Sequence, residues 1–184
     1  MATITVPVTP AEFDLMDPEE GRFELLNGEV IEMASASGPH NFLAGKLERS
    51  LGSWLEANEF GAVIHETEFR IGENRFRPDL AIILMDRWQR IGGDKAPLPE
   101  PPEIAIEVIS PSESASVLEE KIAAYLGAGV REVWELYSST EHLFIHTSDG
   151  IRRLDRDDTI ETPVIPGWSM PMRELLRKLN GVYF

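Results

Sequence analysis

EIAIEVISPS, residues Glu103 to Ser112, is the stretch that decides the fold. Ile104, Ala105, Ile106, Val108 and Ile109 make a run too β-branched and too short for a surface helix, so it reads as a buried strand. Glu107 sits in the middle of that strand. An ionised carboxylate costs several kcal/mol to bury unless it is paired, protonated or coordinated. The strand therefore calls for a partner for Glu107, and its neighbours must be read with that in mind.

Downstream, Ser110-Pro111-Ser112 reads as a turn into a helix from about Ser114 to Ala128, closed by Gly129. Leu118, Ile122, Tyr125 and Leu126 form its apolar stripe. REVWELYS, Arg131 to Ser138, is a further buried strand. HLFIHTSDGIRRL, His142 to Leu154, is a hairpin around Ser148-Asp149-Gly150, and MPMRELLRKL, Met170 to Leu179, reads as a short C-terminal helix.

Upstream, Asp86 to Pro102 reads as a long loop rich in Pro and Gly, a type that is often functional. RPDLAIIL, Arg77 to Leu84, is a strand, antiparallel to a preceding strand GAVIHETEFRI, Gly61 to Ile71, across the turn Gly72-Glu73-Asn74. Leu43, Leu47, Leu51, Trp54 and Leu55 recur at helical spacing, giving a helix from about Pro39 to Asn58 that Gly61 stops. Asn27-Gly28 is a hairpin turn between strands Arg22–Leu26 and Glu29–Met33. Thr9-Pro10 starts a short helix over Ala11 to Met16, ended by Asp17-Pro18. The central order is helix, strand, strand, strand, helix, strand, which predicts a mixed sheet flanked by helices, an α/β fold.

Composition narrows the function. The chain of 184 residues fits one domain, spanning 1–184, with enough length to bury a core. It has no cysteine, which excludes disulfides and thiolate metal sites. The N-terminus lacks a basic segment followed by an apolar run, and no stretch is long and apolar enough to span a bilayer, so the expectation is a soluble, cytoplasmic protein with no membrane partner. A net charge of -15 counts against general affinity for nucleic acid, although a basic patch or divalent cations can reverse the field locally.

Two further residues interrupt the apolar pattern near Glu107. Asp79 follows Pro78 at the start of LAIIL, on what reads as the neighbouring strand. Adjacent strands lie about 4.8 Å apart, close enough for two carboxylates to share one cation, and such oxygen ligands suit Mg²⁺, Mn²⁺ or Ca²⁺. Lys121 lies three residues after Leu118 and four before Tyr125, so it borders the buried face of its helix. Beside a two-carboxylate site, a lysine can orient a water or offset charge on a phosphoryl oxygen. Each residue also has a plain structural reading: Asp79 as a turn residue, Lys121 as a snorkelling lysine, and Glu107 with Lys121 as a buried ion pair.

In this order of elements, with RPDLAII, EVISPS, KIAAY and GAGVREVW, the chain resembles the PD-(D/E)xK nuclease superfamily. The usual strand lysine is missing, since Glu107-Val108-Ile109 stands where Glu-x-Lys is expected. In this the chain is similar to a bacterial branch of restriction-endonuclease-like proteins, the Uma type, whose lysine has moved to the following helix. FELLNGEVIEM and His40 match that branch's opening hairpin and helix start, and the likeness spans about Phe13 to Trp168. The resemblance implies a restriction-endonuclease-like αβββαβ core with an N-terminal hairpin and an additional C-terminal hairpin. It implies a metal-dependent endonuclease acting on DNA. Asp79 and Glu107 would hold Mg²⁺ or Mn²⁺, Lys121 would assist the attacking water, and Glu24 and His40 would lie near the site as further ligands or substrate contacts. Homodimerisation is a further expectation by analogy. One departure counts against tight DNA binding: the branch carries basic residues and an Asp before its lysine, where this chain has ESASVLEE with Val117 in the Asp position.

Other chemistries lack their signatures. Gly92-Gly93 precedes no helix bearing Lys-Ser/Thr, His65, His142 and His146 lack zinc spacing, and no Gly-x-Ser-x-Gly elbow occurs. His142 and His146 are expected to face solvent. Trp54, Trp134 and Trp168 are expected in the core, which leaves Trp88 in the long loop as the substrate-facing tryptophan. The rival to the enzyme is a non-catalytic binding or assembly module in which Glu107 and Lys121 form a buried ion pair.

Overall fold

The computed structural model describes residues 7–16, 22–33, 35–93, 95–110, 113–179 and 181–183. Asp17-Pro18, Pro111 and Ser112 lie outside them, as do the first six residues, so the readings made there stay with the sequence. Helix α1 (Pro10–Phe13) is capped by Thr9 through a capping box with Glu12. Strands β1 (Phe23–Leu26) and β2 (Glu29–Glu32) form the first hairpin. Its turn needs positive φ at both central residues, met by Asn27 at 51° and Gly28 at 83°. Helix α2 (Gly38–Ala57) follows, capped by the Ser37 side chain.

The segment read as one long strand from Gly61 to Ile71 is two. β3 (Gly61–His65) and β4 (Phe69–Ile71) are separated where Glu66 takes a φ of 46°. β3 pairs with β6 (Leu80–Leu84), whereas β4 pairs with β5 (Asn74–Phe76), so the chain crosses between two sheets at this break. Gly61 has a different role from a helix stop. Its place is against the Ile83 carbonyl, where a Cβ would collide, and the left-handed residue after α2 is Glu59. The predicted loop after β6 contains a helix, α3 (Met85–Ile91), ended by left-handed Gly92.

β7 (Ile104–Ile109), α4 (Ala115–Gly127) and β8 (Glu132–Tyr137) make a parallel crossover, and β9 (His142–Thr147) with β10 (Gly150–Leu154) completes the large sheet. Its order is β10-β9-β8-β7-β6-β3, and β1, β2, β4 and β5 form a second sheet of order β2-β1-β5-β4. Strands β11 (Thr159–Glu161) and β12 (Ser169–Pro171) make a small hairpin. The predicted C-terminal helix is reduced to α5 (Met172–Leu175), after which Lys178–Leu179 pairs as a strand with Val182–Tyr183.

Two apolar layers hold these elements. On one face of the large sheet, Ile82, Ile104, Ile106, Trp134 and Leu136 pack against Leu43, Leu47, Leu51 and Leu55 of α2 and against Trp168 and Met172 near the C-terminus. On the other, Ala81, Ala105 and Val133 pack against Tyr125 of α4 and against Leu26, Ile71 and Phe76 of the smaller sheet. Glu107 shares the alternation of Ala105, which directs it to this second face, between α4 and the smaller sheet.

An ion pair fixes the N-terminal helix to that smaller sheet. Arg75, only 5% exposed, donates Nε and Nη2 to Asp14 at 2.8 and 3.0 Å. The Arg75 hydrogen bonds hold the Asp14 carboxyl below its ordinary range, against the opposing effect of burial. A depressed folded-state pKa gives stability that is full above the unfolded value of about 3.9 and is lost as pH falls through the folded value. Asp14→Asn should therefore cost about 1–3 kcal/mol at neutral pH. In urea titrations repeated across pH, its gap from the wild type should close on acidification, and a gap that persists at low pH would rule out this account.

Candidate functional site

β6 and β7 run antiparallel with Leu80 opposite Ile106 and Ala81 opposite Ala105. Continuing that register by one residue sets Asp79 level with Glu107. Asp79 lies just before β6, where the Pro78 ring ends regular pairing. Its Oδ2 accepts from the Val108 N–H at 2.7 Å, and its Oδ1 lies 2.9 Å from His40 Nε2. His40 comes from the first turn of α2, where its own N–H donates to the capping Ser37. The hydrogen bond to Asp79 raises the His40 pKa over the opposing effect of burial.

Glu107 is matched from α4. Lys121 Nζ lies 2.9 Å from Glu107 Oε1 and 2.9 Å from Oε2 of Glu24 on β1. Tyr125, one helical turn further on, donates its hydroxyl to the same Oε1 at 3.0 Å. Neither contact uses Oε2 of Glu107. Glu24 is oriented in turn by the Arg77 N–H, which donates to its Oε1 at 2.7 Å. Phe76 places its ring 5.5 Å from Lys121 Nζ and stands edge-on to Tyr125. Glu24, Glu107, Lys121 and Tyr125 are all buried.

Glu24, Asp79 and Glu107 share one ammonium and one imidazole, and Arg22 and Glu113 stand on the same cavity wall. Burial, followed by repulsion from Glu24 and Asp79, pushes Glu107 up to about 8 in spite of Lys121. Burial works against the Lys121 ammonium, but Glu107 and Glu24 outweigh it and hold its pKa above the usual range. Burial also raises Glu113, whose carboxylate accepts from the Ser110 N–H.

These residues line one cavity of about 270 Å³, with Glu24, His40, Asp79, Glu107, Glu113 and Lys121 on its wall. All five residues singled out from the sequence therefore meet in one place. Tyr125 and Glu113 were not singled out. Tyr125 carried a usable signal, because a tyrosine on an apolar stripe one turn after a candidate lysine must find a partner for its hydroxyl. Glu113 carried none.

Two other expectations are corrected. Trp88 lies on α3, packs against the second core layer and faces Gly93, and it is not on the cavity wall. His146 does not face solvent freely, since its Nε2 lies 2.7 Å from Oε2 of buried Glu135. The alternation that suggested an exposed histidine could not show a glutamate on the adjacent strand. His142 is half-buried and lies 2.8 Å from Asp155.

The mixed sheet, its flanking helices and the convergence of acids at the start of β6 and the middle of β7 define a restriction-endonuclease-like fold. A crystal structure of a putative nuclease belonging to DUF820 from Anabaena variabilis superposes with a TM-score of 0.83 at 20% identity, over 92% of this chain and 98% of that one. Residues 10–173 match the family described as Uma2, putative restriction endonuclease, and the chain belongs to that family. No curated protein matches it in sequence. Among the described residues, no helix is long and apolar enough to cross a membrane.

Lys121 is the shared counter-charge, so its loss leaves two buried carboxylates without a cation. Breaking one partner of a buried pair costs about 3–5 kcal/mol. Lys121→Met should lower the denaturation midpoint accordingly, and adding Glu107→Gln should recover part of the loss. Strict additivity in the double-mutant cycle would show that the two residues are not coupled.

Proposed function

We propose that this protein is a metal-dependent endonuclease that hydrolyses phosphodiester bonds in DNA, a member of the PD-(D/E)xK group with its lysine carried on α4. The observation that carries this reading is the meeting of Asp79, Glu107 and Lys121 in one cavity, with a buried Glu107 whose carboxyl burial pushes up. An acid pushed up to about 8 beside two further carboxylates is a place where added positive charge is favourable.

The donor set fits a hard divalent ion that keeps most of its water. Among the described residues, no group of three or more His, Asp or Glu side chains is arranged to hold a metal by itself. Mg²⁺ is commonly held by one or two carboxylates together with water and substrate oxygens, which is what Asp79 and Glu107 offer. Mn²⁺ takes the same oxygen donors. When bound, the ion would supply Lewis acidity to the phosphate and a lowered pKa for a coordinated water. The chain's own residues position the rest. Val108 N–H and His40 fix the Asp79 carboxylate, and Tyr125 fixes Glu107. Glu24 keeps Lys121 at the cavity, where its ammonium can orient a water or offset charge on a phosphoryl oxygen.

A second reading has its own support. Lys121 lies at 2.9 Å from both Glu24 and Glu107, the geometry of a structural ion pair in a non-catalytic binding or assembly module. Supercoiled plasmid and single-stranded DNA, incubated with and without Mg²⁺ or Mn²⁺, separate the two. The enzyme reading expects metal-dependent cutting that falls by about a hundredfold or more in Asp79→Ala and in Lys121→Ala. It also expects Mn²⁺ binding, measured by electron paramagnetic resonance, that Asp79→Ala abolishes. No cutting together with no Mn²⁺ binding would leave the assembly module standing.

A further inference from the structure

A groove of about 670 Å³ runs between the outer flank of α4 and the sheet face at β8, β9 and β10. Leu118, Ile122 and Leu126 form one wall, and Tyr137, Phe144 and Ile151 form the other. It adjoins the candidate site. Leu118 lines both spaces, and Tyr137 in the groove precedes Ser138 on the cavity wall. The sheet face is also shared, because cross-strand register places Glu107, Glu135, Phe144 and Arg153 in one row across four strands.

The chemistry of this groove differs from that of the cavity. Tyr137 and Phe144 are half-buried and stand edge to face at 5.7 Å, with His142 edge-on to Phe144 at 6.5 Å. Glu135 beneath them is matched by His146, so it does not call for a cation. Glu119 and Asp149 lie on the lining and, among the described residues, no lysine or arginine does. Phosphates are therefore unwelcome inside, whereas a flat uncharged ring fits an aromatic, apolar slot. Just outside, Arg153 stands across from Phe144, half exposed, with Nη2 2.9 Å from Asp155. Its Nε is also 3.0 Å from Asp155 and His142 joins the pair, so an arriving phosphate would have to replace Asp155 on Arg153.

We propose that the groove stacks one unpaired nucleobase flanking the nucleotide held at Asp79 and Glu107, so that the substrate is single-stranded or locally unpaired nucleic acid rather than an intact duplex. This rests on the nuclease reading and narrows it. The aromatic groove supplies stacking that tolerates any base, and Arg153 supplies one contact to the backbone. With so few cations, binding should depend only weakly on salt.

The test uses the full chain with Ca²⁺, which takes the same oxygen donors, at an ionic strength that screens the net charge. It is titrated with a single-stranded DNA oligonucleotide carrying 2-aminopurine and with the same oligonucleotide in a duplex. The expected result is quenching by stacking for the single strand and not for the duplex. Phe144→Ala should weaken binding by about tenfold, and Phe144→Trp should restore it. Thermal melting of each variant separates this from a folding defect. Absence of quenching, equal binding of the duplex, or indifference to Phe144→Ala in a folded variant would overturn the proposal. So would tight binding of a Lys/Leu amphipathic peptide that displaces the oligonucleotide and is lost in Phe144→Ala, since the groove would then dock protein. Metal-dependent cutting without quenching would remove the stacking groove and keep the nuclease. Quenching without cutting under any metal would do the reverse.

Discussion

One ammonium held between two buried carboxylates is the constraint on which the site depends. Glu24 belongs to the smaller sheet, Glu107 to the larger one and Lys121 to helix α4. The three must arrive together, because each is costly to bury alone and the pairing offsets that cost only when the geometry is good. The surrounding sequence serves this meeting. Arg77 donates its N–H to Glu24, Tyr125 donates its hydroxyl to Glu107, and Phe76 presents its ring to Lys121. The smaller sheet is therefore more than a lid on the apolar layer, since it contributes a charged member of the cluster and a backbone donor that orients it.

Asp79 is held differently from the other two acids. It stands outside the regular strand, and its carboxylate is fixed by a backbone N–H from the neighbouring strand and by an imidazole from the start of α2. One donor belongs to a central strand and the other to the helix packed on that sheet. Helix α2 packs on the face away from α4, yet its first turn reaches Asp79, so the cavity joins both layers at one end of the central strands. Lys121 answers to Glu24 and Glu107, whereas His40 answers to Asp79. Each of these acids has a positively charged or chargeable neighbour.

Much of this was legible in the sequence because burial leaves a pattern. An acid inside IAIEVI cannot be solvent-facing, and a lysine three residues after Leu118 cannot stay clear of the buried face. Asn27-Gly28 fixed the first hairpin through its need for positive φ, and the leucine spacing of α2 was complete. The failures have equally physical causes. The strand from Gly61 to Ile71 has a polar run, His65 to Glu68, at the Glu66 break, and the reading carried across it because periodicity cannot report a change of partner. The C-terminal segment has helical spacing but makes only one turn, since Leu175 and Leu176 are already fully buried and the chain then pairs as a hairpin. The Glu135–His146 pair joins two strands whose register no local pattern reveals.

The acidic balance of the chain bears on how such a site would meet its substrate. A net charge of -15 repels polynucleotides at long range and slows encounter with them. The segment leading into α4, ESASVLEE, adds acids where a phosphate would approach, and Glu113 and Glu119 lie at the edges of the cavity and the groove. Non-specific retention on DNA, which depends on counterion release by lysine and arginine, is therefore weak by design of the surface. On the proposed reading, affinity would come from short-range terms: a cation shared between substrate oxygens and the carboxylates, and apolar or stacking contact in the adjoining groove. Such a site would ignore bulk duplex and respond to a local structure that presents both a phosphate and an unpaired ring.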